Sequence, residues 1–257
     1  MTVSIVIAGV SGDRIVNDCV ASIQRIAGDR DLEVITLRGE PHSVFRIRTE
    51  GIARATGERI AVLGDRYEVT PRWVKALFER SAFDVTGGCV APAASLNYWG
   101  WCVYLSEYAH IAPPVREGTT QQPKLVPGGN AIYNSSVVRR YATTVPRTDL
   151  AFHSSLLESG VTIGICADFE VSFAHPPGIS EYVRERFWFS RAIGAEGGLK
   201  KLLLAPLLPF VLLIRIGTAV MEKRRYRLRF VASAPAILLL SAVQSAGEFA
   251  GALSRPV

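Results

Sequence analysis

The chain is poor in the residues that build metal and redox centres. It has four cysteines, four histidines and two methionines among 257 residues. Cys19, Cys89, Cys102 and Cys166 stand far apart with no Cys-x-x-Cys pair, which leaves zinc and dithiol redox motifs unsupported. Cys19 and Cys166 fall in apolar patterns, as buried thiols of a reducing compartment do. No internal repeat and no low-complexity tract is present. The opening MTVSIVIAG lacks the basic head and the length of a signal peptide. It reads as the start of a strand, so the expected location of the folded part is the cytoplasm.

What is plentiful is apolar surface and basic charge. A hydrophobic share of 49% and a mean hydropathy of +0.22 come mostly from the residues after Leu199. The net charge of +6 is concentrated late, at Lys200-Lys201 and in KRRYRLR at 223–229. Such clusters suit anionic phospholipid or nucleic acid, and next to apolar runs the membrane is preferred and no nucleic acid is expected. Residues 202–214 are apolar but broken by Pro206 and Pro209; residues 230–253 are interrupted by Pro235, Gln244 and Glu248. A spanning helix needs about 20 apolar residues. The first run reaches that only by including Arg215, and the second only marginally. One crossing by the first run would put 223–229 on the far side, against the cytoplasmic bias of Lys and Arg. Residues 197–257 therefore read as a pair of interfacial or re-entrant helices with the basic link on lipid headgroups. A two-helix span and a soluble helical subdomain stand as alternatives.

Residues 1–196 alternate. Strand patterns at 3–8, 32–37 and 59–63 are separated by helix patterns at 17–26 and 50–56, giving strand–helix–strand–helix–strand. That order predicts a parallel sheet with right-handed crossovers. Further on come a helix at 72–81, a strand at 84–90 and an aromatic helix-like segment at 97–111. A Pro-Gly-Gly-Asn turn with a short strand follows within 125–133, then a helix at 149–158, strands at 161–167 and 169–173, and a helix at 179–195. Open α/β sheets place ligands at the carboxyl edge of their strands. Asp65, just past the 59–63 strand, is delivered to that edge.

Residues 48–73 carry Arg48, Gly51, Gly57, Glu58, the 60–63 strand, Asp65, Pro71 and Trp73 in a framework that resembles family 2 glycosyltransferases. These are nucleotide-sugar-dependent enzymes of the GT-A fold. Thr49 replaces the family's Asn, and Gly64 and Arg66 replace the outer acids of its Asp-x-Asp loop. The resemblance implies a GT-A-like α/β domain over 1–196, a mixed, mostly parallel sheet flanked by helices, followed by the hydrophobic helical hairpin of 197–257.

The same resemblance implies roles for single residues. Asp65 would hold Mg²⁺ or Mn²⁺ against a leaving diphosphate. With Arg66 in the place of the last acid, its guanidinium supplies part of that charge, and weakened or absent metal dependence is expected. The plainer reading makes Asp65 a loop cap and Arg66 a solvated charge. Asp149, in a segment similar to the family's Glu-Asp motif with Thr148 for Glu, would be the base that takes the acceptor proton; otherwise it only starts a helix. Gly129 and Asn130 of the Pro-Gly-Gly-Asn turn would approach donor or acceptor. His175 would touch phosphate or metal, or be structural. Glu40, within Arg38-Gly39-Glu40-Pro41 where relatives carry Asp-Asp-Gly-Ser, is the one acid placed to read the nucleoside, and Arg48 would meet base or phosphate.

Trp99, Trp101 and Tyr104 would face the acceptor, since aromatics stack on sugars and favour membrane interfaces; core packing is the alternative. Arg184, Arg186 and Arg191 in EYVRERFWFSR would meet pyrophosphate or headgroups. The implied activity is inverting transfer of a sugar from a nucleotide-sugar donor to a hydroxyl of a lipid-linked or polysaccharide acceptor. It would act at the cytoplasmic face of the cell membrane. A catalytically silent relative supporting another transferase, and a membrane-recruited scaffold, remain open from the sequence.

Overall fold

A computed structural model describes residues 2–28, 30–40, 43–79, 81–141 and 148–254. Pro41 and the side chains of Lys200 and Lys201, singled out above, lie outside the described residues. The chain divides into two compact units, Met1–Ala93 with Ile111–His175, and Ala94–His110 with Pro176–Val257.

In the first unit, β1 (Val3–Gly9) is buried along its whole length and pairs in parallel with β2 (Leu32–Arg38) on one side and β3 (Arg59–Gly64) on the other. The crossovers are α1 (Asp13–Ala27) and α2 (Val44–Arg54). Right-handed crossovers leading to opposite sides of a strand set their helices on opposite faces. α1 buries Val16, Cys19, Ile23 and Ala27 at helical spacing. β2 was expected to be a buried strand, yet it is only half-buried, because it ends the sheet.

Beyond β3 the sheet continues as β7 (Asn130–Asn134), β5 (Val85–Pro92), β8 (Ile163–Phe173) and β4 (Tyr67–Val69), with β6 (Gly118–Thr119) also on β8. β7 is antiparallel to both neighbours, β5 and β8 run parallel, and β4 is antiparallel to β8. The sheet is thus mixed, and its three longest ladders are parallel. The two short strands expected at 161–167 and 169–173 are one eleven-residue strand whose register against β5 shifts between Gly87 and Cys89.

The remaining helices of this unit are α3 (Pro71–Phe78), α5 (Ser135–Tyr141) and α6 (Asp149–Glu158). α3 starts on Thr70, whose hydroxyl accepts from Trp73 N, with Pro71 in the first turn. Val6, Ile60, Val62, Tyr133 and Ile163 build one core cluster with Ile52 of α2 and Phe152 and Leu156 of α6. On the other side Trp73 stacks on Phe169 at 5.1 Å between ring centres.

The second unit is helical: α4 (Tyr98–Tyr108), α7 (Ile179–Leu204), α8 (Leu208–Lys223) and α9 (Arg227–Leu253). α7 and α9 approach closely through Gly247 and Gly251, where an added Cβ would strike the backbone of Phe187 and Arg191. A polar chain crosses the same seam. Tyr182 and Arg186 donate to Glu107 at 2.5 and 2.8 Å, Arg186 donates to Gln244 at 2.5 Å, and Gln244 donates to Glu248 at 3.0 Å. The segments Ala205–Lys223 and Arg227–Leu253 are long and apolar enough to cross a membrane by length and composition alone.

Candidate functional site

The carboxyl ends of β1, β2 and β3 and the amino end of β7 make one rim. Asn130 pairs with Leu63 at the end of β3, so the Gly128-Gly129 turn preceding it lies on that rim. The Gly129 carbonyl accepts from Gly64 N at 2.8 Å, which ties the turn to the residue just before Asp65.

Arg48 comes to this turn from α2 and Asp149 from the first turn of α6. Thr148 caps α6, its hydroxyl accepting from Ala151 N at 3.1 Å, and Asp149 is the first residue of that helix. Arg48 Nη1 donates to Asp149 Oδ2 in an ion pair. Burial works against the charge on Arg48, but the adjacent carboxylate outweighs it and holds the guanidinium above its ordinary value. A Cβ on Gly128 would collide with the Asp149 carboxylate, and one on Gly129 would press on Gly64 N and the Tyr67 ring. Glycine is required at 128 by this close approach. A small pocket here is lined by Phe45, Arg48, Gly128, Tyr133, Asp149 and Phe152, among others.

Behind the pair, Tyr133 and His153 share a 2.8 Å hydrogen bond between the phenol and Nε2. Burial pushes the phenol up and pushes His153 down to about 4. The phenol therefore keeps its proton and the imidazole is neutral, with His153 Nδ1 buried and without a hydrogen-bond partner among the described residues. Neither Tyr133 nor His153 was singled out from the sequence, where both read as helix and strand filler.

Asp65 follows β3 on the same rim. It is buried, and its Oδ2 accepts from Val10 N at 2.8 Å and Ser11 N at 2.7 Å. The loop-capping alternative describes this contact: the acid pins the β1–α1 loop. Arg66 is buried rather than solvated, its Nη1 lying 3.5 Å from the His175 carbonyl oxygen. The pairing of Tyr67 with Phe173 brings them together, and the Arg66 carbonyl accepts from Ala174 N and His175 N. His175 Nε2 is buried without a hydrogen bond, 3.8 Å from Glu68.

Asn130 corrects the sequence reading. It is fully buried; its amide nitrogen donates to the carbonyls of Cys89 and Phe169, both at 3.0 Å, and its Oδ1 accepts from Trp73 Nε1 at 2.8 Å. The amide is spent inside the fold and presents nothing to a donor. Glu40 is exposed in the loop after β2, where its carbonyl accepts from Ser43 N and Oγ at 2.8 Å.

The acceptor candidates belong to the second unit. Trp99 donates to the Pro177 carbonyl at 2.7 Å and meets Tyr182 edge-on. Trp101 lies against Tyr104 and Tyr226, with Arg229 over its ring at 5.2 Å. Tyr104 is fully buried, so it packs the helices and reaches no acceptor. Arg186 is likewise bound within the α4–α7–α9 polar chain.

A hard divalent cation needs several oxygen ligands. Among the described residues no group of three or more His, Cys, Asp or Glu side chains converges, and one oxygen of Asp65 already holds two amides. The described side chains therefore do not by themselves supply the ligand set of a Mg²⁺ or Mn²⁺ site.

No protein-family model matches the chain. No curated protein matches it either. Among solved structures, S. aureus TarS 1–349 in complex with UDP is similar with a TM-score of 0.49 at 10% identity, over 96% of this chain and 89% of that one. TarS 1–349 without UDP gives 0.46 at 10% identity, over 97% and 89%. The inositol-1-phosphate CTP transferase from T. maritima gives 0.40 at 11% identity, over 69% and 90%.

Proposed function

We propose that the chain transfers a sugar from a nucleotide-sugar donor to a hydroxyl of a lipid-linked or polysaccharide acceptor at the cytoplasmic face of a membrane. One observation carries the reading. Among the described residues five buried side-chain polar atoms have no partner, and three of them, Ser11 Oγ, Arg48 Nε and His175 Nε2, belong to segments at the carboxyl ends of the strands. Buried polar groups are ordinarily satisfied, and these belong to the loop, helix and strand ends where an α/β sheet takes its ligand.

In this mechanism the acceptor oxygen attacks the anomeric carbon and its proton passes to Asp149. The bond from that carbon to the diphosphate breaks, with the electron pair leaving on the diphosphate. Direct displacement inverts the anomeric centre. Arg48 and Arg66 supply positive charge for the leaving group. Asp149 is a hydrogen-bonded partner of Arg48 before a donor arrives, so a diphosphate that draws Arg48 away leaves the carboxylate able to take a proton.

The engagement of Asp149 by Arg48 and of Asp65 by two amides favours a second reading, a silent relative that binds donor without transfer. A thermal-shift panel of uridine, guanosine, cytidine and thymidine diphosphate sugars, with and without Mn²⁺, tests both, because ligands of the folded state raise its melting temperature. A stabilising donor with product formation supports transfer; stabilisation without product supports the silent relative. No response to any nucleotide sugar removes both.

A further inference from the structure

The second unit holds a surface that the transferase chemistry does not use. α9 has two faces of opposite character. Its inward face runs through Ser233, Ile237, Leu240, Gln244, Glu248 and Gly251, all buried. Its outward face runs through Leu228, Val231, Pro235, Leu239, Phe249 and Leu253, spaced at three, four or their sums. These residues are exposed, Leu228 by 86% and Leu239 by 71%. The stripe has no charged residue from one end of the helix to the other. Soluble proteins seldom leave so long an apolar strip uncovered. Leu207, just ahead of α8, and Phe210, Val211 and Ile214 within it are exposed as well.

At one end of this stripe is the link between α8 and α9, where Arg224, Arg225, Arg227 and Arg229 are all exposed. Arg224 and Tyr226 adopt left-handed conformations, φ 53° and 62°, which turn the chain sharply while keeping the basic residues together. An apolar stripe with cationic residues at its rim is complementary to the acyl and headgroup layers of an anionic bilayer.

The inward face decides how α9 meets such a bilayer. Gln244 and Glu248 are joined to Arg186 of α7 and through it to Glu107 of α4. If α9 crossed the hydrocarbon, these charged neighbours would be drawn into it, where ionised side chains are costly. We propose that α9 lies in the plane of an anionic membrane surface. Its Leu228–Val231–Leu239–Phe249 stripe enters the acyl boundary, its polar seam faces the protein, and the Arg224–Arg229 link reaches the headgroups. This inference deepens the membrane location proposed above and uses no step of the transfer chemistry, so it survives a failure of that chemistry.

The test uses the full chain and sealed vesicles of phosphatidylcholine, alone or mixed with phosphatidylglycerol. Binding should rise with phosphatidylglycerol and weaken with salt. The pair Leu228→Glu and Leu239→Glu should lower partition by about tenfold or more, with the circular dichroism spectrum unchanged because both side chains point outward. In a Cys166→Ser background, Arg225→Cys and Ser254→Cys should both react with an impermeant maleimide added outside the vesicles. Protection of residue 225 with reaction at 254 means the hairpin spans, and overturns the in-plane arrangement. Absence of vesicle binding, or a dimer in solution whose formation the two glutamates abolish, overturns the membrane altogether.

Discussion

Arg48 and Asp149 are 101 residues apart in sequence and hold each other at the Gly128-Gly129 turn. The pair is only partly exposed, so its loss should cost more than that of a surface ion pair and less than that of a fully buried one. Arg48→Met should lower the unfolding free energy by about 2 kcal/mol, read from urea titration, and should abolish donor-induced thermal stabilisation. An unchanged urea midpoint would show that the pair contributes nothing. Asp149→Asn separates the roles. Transfer should fall by about 10²- to 10⁴-fold, while donor binding is kept or strengthened because Arg48 is released. Intact turnover would remove Asp149 from the chemistry.

The two glycines of the turn should differ in severity. Gly128→Ala places a methyl group on the Asp149 carboxylate, and the overpacking should cost about 1–3 kcal/mol and displace the base. Gly129→Ala meets Gly64 N and a Tyr67 ring carbon at 3.3 Å and Arg48 Nη2 at 3.4 Å, tight but adjustable contacts. Equal melting temperatures for the two variants would contradict this geometry.

His153 makes stability depend on acid. Burial lowers its folded-state value from 6.5 to about 4, so the unfolded chain takes up the proton first. The contribution is complete above pH of about 6.5 and is lost as pH falls toward about 4, about 3 kcal/mol in all. His153→Phe should flatten the slope of unfolding free energy against pH in that window, whatever its effect on stability at neutral pH. An identical slope in the variant would exclude His153 as the source.

Asn130→Ala should damage folding rather than binding. It takes from Trp73 Nε1 its acceptor and from the carbonyls of Cys89 and Phe169 a donor, and an unsatisfied buried donor costs about 1–3 kcal/mol. The expected result is a sharp fall in the thermal midpoint or insoluble protein. A stable variant with only donor affinity reduced would return Asn130 to the site.

The first strands and helices were legible because their signals are local. β1 is a run of buried β-branched residues, and α6 begins at Asp149 as its pattern requires. β4 was missed because three residues hold no period to read, and its pairing with β8 joins positions about a hundred residues apart. The site residues show a second limit. Type and spacing placed Asp65, Asn130 and Tyr104 among polar or aromatic candidates, but burial of a side chain and the direction of its hydrogen bonds depend on distant partners. Those partners were Val10 and Ser11 for Asp65, and Trp73, Cys89 and Phe169 for Asn130. Tyr133 and His153 escaped notice for the same reason, since neither has a local pattern that announces the other.

The triple engagement of Asn130 carries a mechanical consequence. One amide fastens α3, β5 and β8 to the start of β7, so the strand ends beneath the rim behave as a fixed floor. In the proposed transferase, adjustment to a bound donor would then fall to side chains of α2 and α6 rather than to the strands beneath them.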